Sequence, residues 1–406
     1  MPAPPINRRR FLLNSAVLGC SAAASPLLTP ISFMSAPWDN RLVVIILRGA
    51  MDGLGVVQPY GDPDYAALGR EAPNPAMDLD GFFAMNTALQ PLMPMWRNGE
   101  LGFVHAVSTP YRDKRSHFDG QDLLEAGSAR IGDKTSDGWL NRLLQQFPDL
   151  STETAYAIGR QEMIVLNGAA PVTRWTPESD LTMSPQAMKL AQLVMQDDPA
   201  FDQALRQAFA LAETDGDSIA FEGTLREIGK EMRNDMTAAM KKGAGTRIAQ
   251  FAAERLAKEA RIASFSINGW DTHDNQTREL AGALGQLSDA LIALKEGLGP
   301  AWSKTTVLAM TEFGRTARMN GTGGTDHGTA GAMLFAGGAV RGGRVLTNWP
   351  GLEESALYAR RDLLPTRDVR AYAGWAMRGL FGVQSSTLER VIFPGLDLEG
   401  DPGLLL

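Results

Sequence analysis

The chain has 406 residues, of which 44% are hydrophobic and 21% charged, a composition that supplies ample material for a globular core. Its net charge of -7 argues against the basic footprint of a nucleic-acid-binding protein. No run of 18 apolar residues follows the N-terminal segment, so no membrane-spanning helix is predicted.

The N-terminus has the features of an export signal. The pattern R-R-x-F-L begins at Arg8, and a modest apolar stretch then leads to three alanines at 22–24, which suit a cleavage site. We therefore expect residues 1–24 to be a twin-arginine signal peptide and residues 25–40 to be a linker. The mature protein would then be periplasmic or secreted. The alternative is a basic tail with no role in export.

Cys20 is the only cysteine, and it lies inside the predicted signal. The segment V-L-G-C that it closes resembles a lipoprotein cleavage box, but the apolar stretch before it is short, so we favour cleavage near Ala24. The mature chain would have neither disulfides nor thiolate chemistry. It must hold itself together by its core or by a metal. The twin-arginine route carries folded proteins, which suits a protein that takes up a metal before export.

Strand patterns alternate with helix patterns along the chain. Continuous apolar runs predict strands over 41–48, 101–107, 260–267, 305–310 and 331–336. Helices are predicted over 89–97, 116–126, 277–297 and 371–380, and residues 186–259 are almost wholly helical in pattern. This alternation predicts an α/β fold with a mostly parallel sheet sandwiched by helices. We expect one domain over residues 41–400, with a helical cap inserted at about 186–259.

Polar, chemically versatile residues cluster where the predicted strands end. These residues are Asp52 after the first strand, Ser116 and His117 after the second, Asp271 and His273 after the third, Glu312 and Arg315 after the fourth, and Asp326 and His327 before the fifth. Sites in open α/β sheets form at the carboxyl ends of strands, so these side chains are expected to converge. His105, in contrast, lies inside a strand and is predicted to be a core residue.

Histidines and carboxylates from separate strands are the donors that a divalent metal needs. We expect one or two ions; zinc fits best, and manganese or iron are alternatives. Each residue also has a purely structural interpretation. Asp52 could belong to an Asp-Gly turn, Ser116 could cap a helix through the pattern S-x-x-D, Asp271 and His273 could lie in a surface turn, and Glu312 and Arg315 could form a surface ion pair.

The segment GTGGTDHGTAG, residues 321–331, contains Asp326 and His327 among residues with little side chain to pack. Its glycines allow sharp turns or a close approach of the backbone. We expect them to bring the loop close to a metal-centred pocket that His327 reaches. Asp326 would either orient His327 or act as a ligand itself.

Several motifs together resemble the exported bacterial family known as domain of unknown function 1501. They are the twin-arginine signal, LRGAMDGL, SHFDGQDLLEAG, DGWLNRLL, NGWDTHDNQ, TEFGRTAR and GTDHGTAGAMLFAGGAV, and apart from the signal they extend from Leu42 to about Trp349. That family in turn resembles a distant branch of the alkaline phosphatase superfamily, which includes sulfatases. The resemblance implies a mixed α/β sandwich and usually two metal ions.

The motifs that match the superfamily pattern imply roles for individual residues. Asp52 corresponds to the first metal ligand and Ser116 to the nucleophile, while Asp271, His273 and His327 would hold one ion. Glu312 would take the place of the second acid, and with Asp52 it would hold the other ion. Arg315 would clamp the oxyanion of the substrate.

Two departures from the superfamily pattern bear on the chemistry. One residue separates Asp271 from His273, where the superfamily usually has three. Phe313 follows Glu312 where a second histidine is expected, and His117 or Asp326 are the candidates to replace it.

The leading hypothesis for the function is an exported, metal-dependent hydrolase of phosphate or sulfate esters, acting on a small molecule or a polymer. The alternative is a non-catalytic binding or assembly protein, built on a degenerate scaffold, that engages another exported protein or a cell-surface polymer. A redox metalloprotein is a third option, although no haem or flavin signature supports it.

Overall fold

A computed structural model describes residues 38–112, 114–130, 137–147, 150–159, 163–175 and 243–406. The predicted signal peptide, most of the linker and residues 186–242 of the predicted cap lie outside these ranges. None of the helices in the described part of the chain has the length and apolar character needed to cross a membrane.

The strands and helices have the following bounds. The strands are β1 (Arg41–Arg48), β2 (Val57–Gln58), β3 (Ala84–Met85), β4 (Leu101–Ser108), β5 (Ala155–Ile158), β6 (Thr173–Trp175), β7 (Ile262–Asn268), β8 (Thr305–Thr311), β9 (Gly331–Ala336), β10 (Val345–Leu346) and β11 (Arg367–Asp368). The α-helices are α1 (Gly53–Val56), α2 (Met93–Arg97), α3 (His117–Ala126), α4 (Trp139–Leu144), α5 (Ala244–Leu256), α6 (Gln276–Leu298), α7 (Val369–Phe381) and α8 (Ser385–Thr387). Short 3-10 turns occupy Ala66–Leu68, Pro75–Met77, Thr87–Leu92, Thr152–Thr154, Ile164–Leu166 and Gly299–Lys304, and Leu388–Ile392 is a π-helical turn.

A mostly parallel sheet forms the centre of the described residues. Its strand order is β10-β4-β9-β8-β1-β7-β5-β6, with β11 also paired to β4. The strand β9 is antiparallel to both of its neighbours, β4 and β8, and the other pairings in this sheet are parallel. The predicted fold class is therefore confirmed.

The reversed direction of β9 explains how the site assembles. Because β9 runs antiparallel to β8, the residues that precede β9 lie at the edge where β1, β4, β7 and β8 end. The loop 321–331 therefore meets the loops that follow the parallel strands.

Both faces of the sheet are covered. Alternate residues of β1 belong to two different apolar clusters: Val43, Ile45 and Leu47 pack with α5 and α6, and Leu42, Val44 and Ile46 pack with α7. Full burial on both faces is the physical reason why this strand is continuously apolar. The helix α5, the described end of the predicted cap segment, packs along α6.

Candidate metal centre

Four side chains that the sequence placed at strand ends lie together at this edge of the sheet. His117 opens α3, Asp271 and His273 follow β7, and His327 precedes β9. Ligand atoms of His117, Asp271 and His327 all lie within 4.8 Å of one another. We call these four residues, with His273 included, the histidine–aspartate cluster.

Three ligand atoms of the cluster form a nearly equilateral triangle. The Nε2 atoms of His273 and His327 are 3.0 Å apart, and Asp271 Oδ1 lies 3.1 Å from the first and 3.2 Å from the second. Ligand atoms about 2.0–2.1 Å from a tetrahedral zinc ion are about 3.3 Å from each other. The triangle therefore has the size of one face of such a coordination shell.

His117 completes the cluster on the other oxygen of Asp271. Its Nε2 atom lies 3.5 Å from Asp271 Oδ2 and is buried with no hydrogen-bond partner among the described residues. Buried polar atoms without partners are rare because leaving one unsatisfied is costly. An ion in the cluster would satisfy this atom, so the residues present fit a divalent metal.

The opposite ring nitrogen of His117 is fixed by Glu312. His117 Nδ1 lies 2.8 Å from Glu312 Oε1, and this bond raises the pKa of His117, with burial opposing it. Burial alone would raise the pKa of Glu312, but hydrogen bonds from His117, Gln121 and Gly49 hold that pKa below its ordinary value. Glu312 is therefore a buried carboxylate whose bond to Nδ1 directs Nε2 into the cluster, a common arrangement around metal-bound histidines.

His327 is fixed by a backbone carbonyl. Its Nδ1 donates to the carbonyl oxygen of Arg115 over 2.8 Å, which leaves the lone pair on Nε2 for the cluster in the neutral ring. Burial lowers the pKa of His327, which favours that neutral form. Arg115 has a φ of 54°, a left-handed conformation that is uncommon outside glycine, so the backbone carries strain at this support.

Asp326 does not orient His327 as predicted. Its Oδ1 atom lies 3.5 Å from Nδ1 of His273 and 3.3 Å from Nδ2 of Asn320. The carboxylate therefore faces the ring of His273, because the carbonyl of Arg115 already occupies Nδ1 of His327.

The glycines of the loop 321–331 approach protein backbone. A Cβ atom on Gly324 would lie 2.2 Å from the backbone of His273, and one on Gly328 would lie 2.3 Å from the backbone of Arg315. Only glycine fits such contacts, so these two positions press the loop against the neighbouring site loops. The loop therefore does approach its neighbours closely, as predicted, and what it approaches is their backbone.

Arg315 has a different position from the one that an oxyanion clamp requires. Its guanidinium is fully buried and donates to four backbone carbonyls, those of Gly49, Ala50, Trp270 and Thr325. It also holds Asp271 Oδ1 at 2.5 Å, and together with other neighbours it brings the pKa of Asp271 below its ordinary value although burial opposes this. Arg315 thus ties the site loops together, and its side chain is 0% exposed.

Asp52 and Glu312 do not form the second ion site that the resemblance implies. Both oxygens of Asp52 are bound by Arg70, at 2.6 and 3.2 Å, and this buried pair is not part of the cluster. The oxygens of Glu312 are occupied by His117, Gly49, Gln121 and Thr311. The sequence pattern located both acids correctly at strand ends, but it could not show that distant donors already hold them.

Ser116 caps α3, as its structural interpretation predicts. Its Oγ accepts from the backbone N–H of Asp119 over 3.4 Å, and its own N–H donates to the hydroxyl of Tyr111. His105 is a fully buried core residue, as predicted, whose Nε2 donates to the carbonyl of Val57.

Several residues that support the cluster were not predicted from the sequence, namely Arg70, Arg115, Gln121, Thr272, Gln276 and Thr325. Arg115 and Gln121 lie within the segment around Ser116 that was singled out, so helix spacing could have suggested that Gln121 follows His117 on one face. No sequence pattern pointed to Arg70, because it lies in an irregular segment outside the motifs.

The fold and the site define an α/β protein with a candidate divalent-metal centre at the carboxyl edge of a mostly parallel sheet. The chain belongs to the family described as protein of unknown function (DUF1501), which it matches over residues 80–373. The resemblance drawn from the sequence motifs is thereby confirmed. No curated protein matches the chain.

Solved structures resemble the chain only in general arrangement. A crystal structure of Ps i-CgsB in complex with k-i-k-neocarrahexaose is 11% identical, with 76% of this chain and 68% of that chain covered and a TM-score of 0.35. The lipoteichoic acid synthase LtaP from Listeria monocytogenes is 10% identical, with 70% and 58% covered and a TM-score of 0.32. The alkaline phosphatase from the Antarctic bacterium TAB5 is 10% identical, with 74% and 91% covered and a TM-score of 0.32. No conclusion about activity follows from likenesses at this level.

Proposed function

We propose that the protein is an exported, metal-dependent hydrolase of phosphate or sulfate esters that acts at the histidine–aspartate cluster. One observation carries this proposal. Two histidine Nε2 atoms and Asp271 Oδ1 form a triangle of ion-binding size, and the buried, partnerless Nε2 of His117 faces the same aspartate. Zinc suits these nitrogen and oxygen donors best, with manganese and iron as alternatives.

A divalent ion held there would supply a Lewis acid for an ester oxygen or a nucleophile. The protein's own contribution is to keep the donors in place. Glu312 aims His117, the carbonyl of Arg115 aims His327, and Arg315 holds Asp271. Rigid donors of this kind need no rearrangement when charge develops on the substrate.

Arginines at the rim of the cluster would bind an anionic substrate in place of Arg315. The side chain of Arg115 is 33% exposed and its Nε atom has no hydrogen-bond partner among the described residues. Arg361 is 37% exposed and donates to the backbone carbonyl of His327 over 3.0 Å. Both contact the buried carboxylate of Asp362. The two guanidinium groups share this one carboxylate, and their forked donors match the oxygens of phosphate or sulfate.

Ser116 is the proposed nucleophile. It immediately precedes His117 at the start of α3, where backbone N–H groups favour a negative charge. In the proposed reaction the serine oxygen bonds to phosphorus or sulfur as the bond to the ester oxygen breaks, and the serine proton ends on the departing alcohol. Water then releases the bound acid from the serine.

The remaining assignments from the sequence belong to the same proposal. Residues 1–24 would direct export by the twin-arginine route, and the mature protein would act outside the cytoplasm. The helical segment at about 186–259, apart from the helix α5 that packs against the sheet, would form a cap that selects the substrate within the single domain 41–400. The partner would be a small-molecule or polymer ester.

The rival is a non-catalytic exported protein that binds another exported protein through the same scaffold. The internal hydrogen bonds of Asp52 and Glu312 favour it, because they remove two acids that a two-ion hydrolase would use.

Turnover measurements separate the two functions. Chromogenic phosphate and sulfate esters are supplied to the protein with Zn²⁺, Mn²⁺ or Fe²⁺ and, separately, with a chelator. The hydrolase proposal predicts turnover that the chelator abolishes and that His327→Ala lowers at least about 100-fold, since a lost ligand removes the ion's contribution. The control His105→Gln removes a histidine outside the cluster and should retain activity. Absence of turnover with every ion and ester would favour the binding protein.

A further inference from the structure

Asp52, the acid that follows β1, is held by two buried side chains. Arg70 donates to both oxygens of Asp52, and the side chains of this pair are 3% and 1% exposed. Gln276 donates to the same carboxylate through its Nε2 atom. The charge of Asp52 is therefore already compensated, and its lone pairs are largely occupied.

Arg70 and Gln276 also form hydrogen bonds to the loops of the site. Arg70 donates to the backbone carbonyls of Thr316 and Ala317, at 2.8 and 2.7 Å. The Oε1 atom of Gln276 accepts from the hydroxyl of Thr272 at 3.0 Å and from that of Thr325 at 2.6 Å.

The two threonines lie beside the metal donors in the chain. Thr272 stands between Asp271 and His273, and Thr325 stands two residues before His327. One buried amide thus ties together the two loops that supply three of the four cluster residues. Both hydroxyls and the amide are fully or almost fully buried, so water does not compete for these bonds.

We propose that Arg70, Asp52 and Gln276 form a buried support for the ligand loops and that the cluster takes a single divalent ion. Asp52 is then a positioning residue and not a metal ligand. An ion at Asp52 would have to displace a buried guanidinium and leave it unpaired, which is strongly unfavourable. The inference deepens the proposed function and depends on the cluster binding metal.

The experiment is a Zn²⁺ titration of the metal-free protein, with bound metal counted by mass spectrometry and affinity measured against a competing chelator. Wild type, Asp52→Asn, Gln276→Ala and Thr325→Val are compared. The last variant removes one hydroxyl with little change in volume, so it remains informative if Asp52→Asn does not fold. Asn141→Ala is the matched control, because Asn141 is a fully buried amide with bonds to Leu166 and Ala170 instead of the site loops.

The expected result is one ion per chain in every folded protein. Gln276→Ala and Thr325→Val should bind it about 10- to 100-fold more weakly, as is usual when a supporting bond is lost, and Asn141→Ala should bind like wild type. Two ions in wild type and one in Asp52→Asn would overturn the inference and leave the proposed function standing. Unchanged affinity in both Gln276→Ala and Thr325→Val would also overturn it. No bound ion in wild type would reject this inference and the metal-dependent function together.

Discussion

His117 and Glu312 form a hydrogen-bonded pair in which one ring nitrogen of the histidine is bonded and the other is not. Nδ1 lies 2.8 Å from Glu312 Oε1, and Nε2 has no hydrogen-bond partner among the described residues. Glu312 is fully buried, so this bond forms away from competing water. Glu312 lies behind the cluster, and its bond to Nδ1 holds the histidine in the direction that an ion requires.

Glu312→Gln tests that role. The neutral amide keeps the volume but removes the charge that fixes His117, so metal affinity should fall about 10- to 100-fold. The affinity is measured against a competing chelator near pH 7. Asp62→Asn is the control, because Asp62 is a buried acid that accepts from Trp349 and from the backbone of Asp64 and is not among the cluster residues. Equal losses in both variants would show a general effect on the fold and contradict the role assigned to Glu312.

Ser116 has two functions in this account, and two substitutions separate them. Ser116→Ala removes the helix cap and the hydroxyl, and should lower stability by about 1 kcal/mol and abolish ester turnover. Ser116→Asn keeps a capping side chain, so its unfolding free energy should stay close to that of wild type, while turnover is still lost. Metal content should be unchanged in both. Turnover by either variant at the wild-type rate would rule out the nucleophile assignment.

Arg315→Lys should be strongly destabilising. A lysine cannot satisfy the four backbone carbonyls that the guanidinium binds, so at least one buried acceptor would lose its partner. We expect the free energy of unfolding in urea to fall by about 2–4 kcal/mol, together with metal affinity. Arg318→Lys, at an exposed arginine with one bond to Ala67, should change stability by less than about 0.5 kcal/mol. A comparable small change at Arg315 would contradict its role as the tie between loops.

His105 should make stability depend on pH. Burial lowers the pKa of His105 from 6.5 to about 4, so the folded protein keeps the ring neutral while the unfolded chain takes up a proton near pH 6.5. The stability contributed by this group is complete above pH 6.5 and is lost as the pH falls towards 4, by an amount on the order of 3 kcal/mol.

The substitution His105→Gln isolates this contribution. The amide can still donate to the carbonyl of Val57 but does not titrate. Urea unfolding of the metal-free protein between pH 4 and 7 should show a shallower pH dependence for the variant than for wild type. Identical slopes would show that His105 is not the group responsible.

The sequence was sufficient to predict the five long strands of the sheet and most of the cluster, for a physical reason. Strands buried on both faces must be continuously apolar, so β1, β8 and β9 are visible as patterns, and the polar residues at their ends stand out. Asp271, His273 and His327 were found in this way. The helix α7 was predicted over 371–380 and extends from Val369 to Phe381.

The roles of the acids could not be predicted in the same way. Whether a carboxylate is a ligand or a support depends on which donors reach it, and the donors to Asp52 come from Arg70 and Gln276, which are 18 and 224 residues away. Periodicity carries no information about such contacts. Short strands such as β5, β6 and β10 were also missed, since two to four residues are too few for a pattern.

The central claim is that the histidine–aspartate cluster binds a divalent metal. The most direct measurement is the metal content of the purified mature protein by mass spectrometry, for wild type, Asp271→Ala and His327→Ala. The account predicts that wild type retains zinc, manganese or iron and that both variants lose it while remaining folded. A wild-type protein that carries no metal and unfolds at the same temperature with and without chelator would contradict the claim.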